Sequence, residues 1–84
     1  IAMEISIDRQ NELAELCIVA LKSDGYSASL CDDNTGRVYV GRKLSGGHQR
    51  MGWVEVCEDG SINAKGMDRQ QSTVRSICEK AIGK

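Results

Sequence analysis

Four short segments in the middle of the chain alternate apolar and polar residues, and this two-residue period constrains the fold most strongly. The segments are 26–31, 37–43, 50–57 and 61–65. Such alternation is typical of a β-strand with one face on a core and the other on solvent. Turn sequences separate the segments, which predicts antiparallel neighbours. The resulting apolar face carries Ala28, Leu30, Val38, Val40, Val54, Val56, Ile62 and Ala64.

The register of the last hairpin follows from the sequence "VCEDGSI". A three-residue loop at 58–60 pairs Val56 with Ile62 and keeps the apolar residues on one face. A two-residue turn would instead place Val56 opposite Asn63 and mix the two faces. Because a one-residue slip moves every side chain to the other face, we expect the three-residue loop, with Gly60 at positive φ.

Segments with a helical period flank the four strands. The first helix is expected to start after an N-cap at Asp8 and to end at Gly25. The second is expected to start at Asp68, which forms a capping box with Gln71, and to end at Gly83. Apolar residues at i, i+3, i+4, i+7 and i+8 give each helix one apolar stripe. The stripes are Leu13, Leu16, Cys17, Ala20 and Leu21, and Val74, Ile77, Cys78, Ala81 and Ile82.

These elements predict an α+β two-layer sandwich, a four-stranded antiparallel sheet with two helices on one face in the order α-β-β-β-β-α. The 84 residues suffice for a single small domain. We expect it to span residues 3–84, with Met3 as the native start and residues 1–2 left over from cloning. The sequence has no apolar run of about 18–20 residues and no leader pattern, so we expect a cytoplasmic protein outside the membrane.

Positive charge is concentrated in one part of the sequence. Residues 37–50 contain four basic residues and no acidic one, whereas residues 1–36 contain seven acidic and two basic residues. The chain as a whole carries a net charge of −1, which is not typical of a general nucleic-acid coat protein and leaves room for an acidic partner or a local anion. The glycine-rich stretch 44–49 predicts a flexible loop, which makes 42–50 a basic loop.

The outer face, which is the face of the sheet opposite the helices, is predicted to hold Trp53, because Trp53 shares its face with the charged Glu55. Tyr39 falls on the same face. The two aromatics fit a cross-strand pair that stabilises the sheet, a protein interface, or a stacking platform for single-stranded nucleic acid. We favour a protein partner over nucleic acid. The predicted binding residues are Arg37, Tyr39, Arg42, Lys43, His48, Arg50, Met51, Trp53 and Lys65.

No catalytic set or cofactor motif is recognisable. His48 is the only histidine, and no nucleophile is evident for it to activate. The segment 32–36 has calcium-binding residue types but neither the length nor the closing glutamate of a calcium loop, and it predicts a turn. We therefore predict a non-enzymatic binding module without cofactor or metal, acting as an adaptor, inhibitor or accessory subunit.

The four cysteines do not have the spacing of a zinc site. We expect reduced thiols. Cys17 and Cys78 lie in the helical stripes, where a thiol behaves as a small apolar group. Cys31 and Cys57 are expected on the outer face at strand ends.

Two β-branched residues suggest self-association. Ile18 and Val19 lie about 130° from the centre of the first stripe, given about 100° of rotation per residue. We expect them to supply apolar area to a homodimer, in which the acidic first helix meets the basic 42–50 segment of a second copy.

Overall fold

The computed structural model describes residues 4–31 and 36–83, and it has the predicted α+β architecture. The sheet order is β1-β2-β3-β4 with every neighbouring pair antiparallel. Both helices pack on the apolar face, the first mainly over β1 and the second over β4. The elements are α1 (Ile7–Ser23), β1 (Tyr26–Leu30), β2 (Arg37–Leu44), β3 (Gly47–Val56), β4 (Ile62–Lys65), a 3-10 turn (Asp68–Gln70) and α2 (Gln71–Ala81).

The core lies between the apolar face and the two helices, and the predicted strand positions are confirmed. Six of the eight predicted strand residues are buried, and the two from β1, Ala28 and Leu30, pack against them. Removing this apolar surface from water is the main stabilising contribution in a domain of this size. The helices contribute Leu13, Ala14, Cys17, Leu21, Val74 and Cys78.

The apolar stripe of α1 is rotated from its predicted position. Ala14 is fully buried, whereas Leu16, which was assigned to the stripe, is 47% exposed. Ile18, expected on an exposed flank, packs against the core, and Val19 is 65% exposed. Ile18 and Val19 therefore do not form one exposed apolar patch.

Two polar side chains near the start of α1 explain this rotation. Gln10 is only 6% exposed, and its Nε2 donates a 2.9 Å hydrogen bond to the Val56 carbonyl. Asn11 follows it, and its Oδ1 accepts a 3.0 Å hydrogen bond from the Gly36 amide. Because a buried amide without a partner costs free energy, these bonds favour one rotation of the helix over others that bury similar apolar area.

The start of each helix differs from the prediction. Ser6, and not Asp8, is the N-cap of α1, and its Oγ accepts a 3.1 Å hydrogen bond from the Arg9 amide. The second helix is preceded by the 3-10 turn, where Asp68 has a φ of 46° and no side chain caps the turn or α2. The prediction of a capping box formed by Asp68 and Gln71 is therefore wrong. The predicted glycine ends of both helices are confirmed by positive φ values.

The hairpin of β2 and β3 is longer than predicted. Leu44 pairs with Gly47, so a two-residue turn at 45–46 joins the strands. The prediction of a flexible loop at 44–49 is therefore wrong. The basic segment 42–50 instead forms the projecting end of a β-hairpin.

A β-bulge interrupts this hairpin. Val40 pairs with Gly52, but Gly41 pairs with Arg50, which leaves Met51 as an extra residue in β3. An extra residue shifts the alternation of the faces by one position. As a result, Met51, predicted on the outer face, packs against the core, while Arg50 takes the outer-face position.

The last hairpin has the predicted register. Val56 pairs with Ile62, Gly60 has a φ of 82°, and the Cys57 amide donates a 2.8 Å hydrogen bond to the Ser61 carbonyl. The loop at 58–60 is thus confirmed. The predicted start at Met3 and the turn residues 32–35 lie outside the described residues.

All four cysteines are free thiols. Cys31 is buried at the strand end, and its amide continues the β1–β2 pairing with a 2.9 Å bond to the Arg37 carbonyl. Cys17 and Cys78 are fully buried, with the Cys17 Sγ 3.9 Å from the Cys78 carbonyl oxygen.

We expect Gly52→Ala to destabilise the domain by roughly 1–3 kcal/mol, the usual cost of overpacking. A Cβ at this position would overlap the Lys65 carbonyl oxygen and lie 2.8 Å from Met67 Cγ. Gly46→Ala is the matched control, since its Cβ would meet no atom within 4 Å. Urea denaturation measures both, and equal stabilities would contradict the close approach at Gly52.

We expect Cys17→Asp to unfold the domain, because it buries a carboxylate between α1 and α2 at a cost comparable to the roughly 5 kcal/mol stability of a small domain. Cys17→Ala should cost only about 1–2 kcal/mol. Circular dichroism melts of both variants check this. A Cys17→Asp variant that melts like the wild type would show that position 17 is not in the core.

Candidate functional site on the outer face of the sheet

The two aromatic residues predicted on the outer face are direct cross-strand neighbours there. Tyr39 of β2 pairs with Trp53 of β3, and Trp53 pairs on its other side with Lys65 of β4. Trp53 is 36% exposed and Tyr39 is half-buried. Ser29 of β1 completes this row across the sheet.

Arg50 joins the aromatic pair from the next row. Its Cζ lies 4.1 Å from the centroid of the Tyr39 ring, over the ring face. A cation–π contact of this kind contributes about 0.5–1 kcal/mol at an exposed site. The bulge at Met51 produces the contact, because without the extra residue Arg50 would point to the helix side.

A groove of about 690 Å³ runs beside this cluster, over the outer side of β1 and β2. Small residues lie along it, namely Ser27, Ser29 and Gly41. Its cations are Lys22, Lys43 and Arg50, and its described lining contains no carboxylate. The groove therefore has positive charge and room for an extended ligand.

Gly41 keeps the end of this groove open. A Cβ there would lie 2.7 Å from both the Gln49 carbonyl oxygen and the Ser27 Oγ. Such close contacts would force the strands apart or displace the serine. The glycine is thus required both by the bulge and by the approach of β1.

Some predicted binding residues lie elsewhere. Arg42 faces the helix side, where its Nη2 can donate a 3.2 Å hydrogen bond to the Gln70 amide oxygen. Arg37 pairs across the strands with Glu55, at the far end from the groove, and its Nε is buried without a hydrogen-bond partner among the described groups. His48 lies in β3 opposite Lys43, and the structure describes only its backbone.

The groove contains residues that the sequence analysis did not select for binding. Ser27 and Ser29 could have been identified from their outer-face alternation, but small polar residues carry no binding signal of their own. Lys22 could not have been identified in this way, because it belongs to the last turn of α1 and reaches the groove only through the tertiary fold.

Other classes of site have little support within the described ranges. No cluster of three or more histidine, cysteine, aspartate or glutamate residues there is placed to hold a metal ion. The hydrogen bond with Cys17 and burial both raise the pKa of Cys78 far above its ordinary value, so this thiol stays protonated at neutral pH. Neither described helix has the length and apolar character needed to cross a bilayer.

Comparison of the chain with protein-family models, curated proteins and solved structures finds no match.

We expect a double-mutant cycle of Arg50→Ala and Tyr39→Leu to give a coupling energy of about 0.5–1 kcal/mol. The reason is that either substitution alone already removes the cation–π contact. Urea denaturation of the wild type, both single variants and the double variant measures the coupling. Strictly additive effects would show that Arg50 does not stabilise the Tyr39 ring.

Proposed function

We propose that the protein is a non-enzymatic binding module that contacts a protein partner through the outer face. The observation that carries the proposal is the exposure of Trp53 beside the Tyr39–Arg50 pair, away from the core. Tryptophan, tyrosine and arginine are the residue types that most often dominate the energy of protein interfaces. A domain that only needed a stable sheet could use smaller residues here.

The Arg50 position favours a protein partner over nucleic acid. Nucleotide bases stack on open aromatic faces, but the guanidinium of Arg50 lies over the face of Tyr39. A base could stack on this face of Tyr39 only by displacing the guanidinium, and would otherwise stack on Trp53 or on the guanidinium plane itself. A protein partner needs no such displacement, since the Arg50–Tyr39 pair already presents apolar and cationic contact area.

A nucleic-acid-binding module is the second candidate, and the groove supports it. Lys22, Lys43 and Arg50 line the groove without a described carboxylate, and such cations can follow a phosphate backbone. The two candidates use the same surface but differ in the physical origin of affinity.

In either case the domain supplies recognition to another molecule. We propose a role as an adaptor, inhibitor or accessory subunit in the cytoplasm. The support is the exposed Trp53 beside the Tyr39–Arg50 pair, together with the lack of a recognisable catalytic set in the sequence.

We expect Trp53→Ala to abolish capture of the protein partner while the domain stays folded. A central aromatic anchor can contribute 2 kcal/mol or more to binding, whereas its cross-strand pairing contributes about 0.2–1 kcal/mol to stability. Leu16→Ala is the matched control, because Leu16 is an exposed apolar residue of α1, which packs on the opposite face of the sheet. The measurement is quantitative affinity capture from the source cell after nuclease treatment, with a thermal melt of each variant.

Capture that survives in Trp53→Ala would contradict the proposal, as would capture that nuclease removes from the wild type. Titration with a single-stranded oligonucleotide at about 50 and 200 mM salt tests the second candidate. Tight binding that weakens steeply with salt would favour nucleic acid, because phosphate contacts release counterions.

A further inference from the structure

We infer that the groove and the free edge of β1 accept an extended acidic segment of the partner protein, which adds to the sheet as a fifth strand. The inference rests on the proposed function, because it requires the partner to be a protein. Beyond the proposed function, it specifies that the contacting segment of the partner is extended and acidic. It also places the contact at the β1 edge, beside the aromatic cluster.

The backbone of β1 has hydrogen-bonding groups that no other described strand uses. The Cys31 amide bonds to the Arg37 carbonyl in β2, and antiparallel pairing alternates along the strand. Ser29 and Ser27 therefore also direct their N–H and C=O groups toward β2. The intervening residues, Ala28 and Leu30, direct theirs away from β2, and no strand of the described chain pairs with that side.

Among the described residues, the β1 edge shows none of the features that usually prevent strand addition. Natural edge strands carry lysine, proline or a bulge, or lie under another element. The sequence of β1, "YSASL", contains no charged residue and no proline, and its pairing with β2 is continuous from Tyr26 to Leu30. By contrast, β4 at the other edge ends in Lys65. Strand addition is therefore favoured at β1.

The groove sets the charge of the added segment. A fifth strand would lie about 4.8 Å from β1, and its outer-face side chains would project beside Ser27 and Ser29. These small residues leave the space open toward Lys22, Lys43 and Arg50. Glutamate or aspartate at alternate positions would meet these cations, while a second copy of this chain would bring the same positive charge.

The test uses a capped eight-residue peptide that alternates valine and glutamate, with a valine–lysine peptide as its charge-reversed counterpart. Hydrogen exchange of the ¹⁵N-labelled protein is followed by NMR. At a peptide concentration about ten times the dissociation constant, we expect exchange of the Ala28 and Leu30 amides to slow about tenfold. The Ser27 and Ser29 amides, already bonded to β2, should change little.

A matched pair of charge swaps tests the groove. Lys43→Glu should weaken binding of the valine–glutamate peptide at least about fivefold. Lys65→Glu makes the same change in charge on the outer face but outside the groove lining, and it should have a smaller effect. A thermal melt confirms that both variants are folded.

Three results would overturn the inference. The first is equal binding of the two peptides. The second is peptide binding without slower hydrogen exchange at the Ala28 and Leu30 amides. The third is exchange of these amides in the free protein that becomes slower as the protein concentration rises, which would indicate pairing between copies. If Trp53→Ala abolishes partner capture but Lys43→Glu leaves it unchanged, strand addition fails and the proposed function stands. If the peptide adds to β1 but Trp53→Ala leaves capture unchanged, the proposed role of the aromatic cluster fails instead.

Discussion

The β-bulge at Met51 is the constraint on which the outer face of this protein depends. One extra residue in β3 exchanges the faces of its neighbours, so that Met51 packs on the core and Arg50 lies over Tyr39. The glycines opposite and beside the bulge allow the neighbouring strands to approach closely, because a side chain at Gly41 or Gly52 would meet backbone atoms. A local irregularity in one hairpin thus links core packing to the candidate binding surface.

The two faces of the sheet are stabilised by different physical effects. The helix side is apolar, and Gln10 and Asn11 hold α1 in one orientation on it through hydrogen bonds to backbone groups. The outer face has no covering layer among the described elements, and it combines large aromatic residues, small residues and cations. In the proposed function, the core would hold the fold while the outer face contacts the partner as a preformed surface.

The proposed function gives the outer face two neighbouring modes of recognition. The cluster of Trp53, Tyr39 and Arg50 provides apolar and cationic contact area, and the β1 edge provides directed hydrogen bonds. Side-chain contacts and backbone pairing are complementary, because strand addition supplies affinity through the main chain and adjacent side chains supply specificity. A partner that uses both would place one extended segment in the groove beside a contact on Trp53.

The sequence by itself determined the order of elements, the four strands, their apolar face, the register of the last hairpin and the outward position of Trp53. These follow from the two-residue period and from turn chemistry, which are local. It did not determine the rotation of α1, since Leu16 and Ala14 both fit an apolar stripe and the hydrogen bonds of Gln10 and Asn11 favour the rotation that buries Ala14. The positions of Met51 and Arg50, and the entry of Lys22 into the groove, were also decided by tertiary structure. The physical reason is that a bulge and a helix orientation depend on contacts between residues far apart in the chain, which no local pattern encodes.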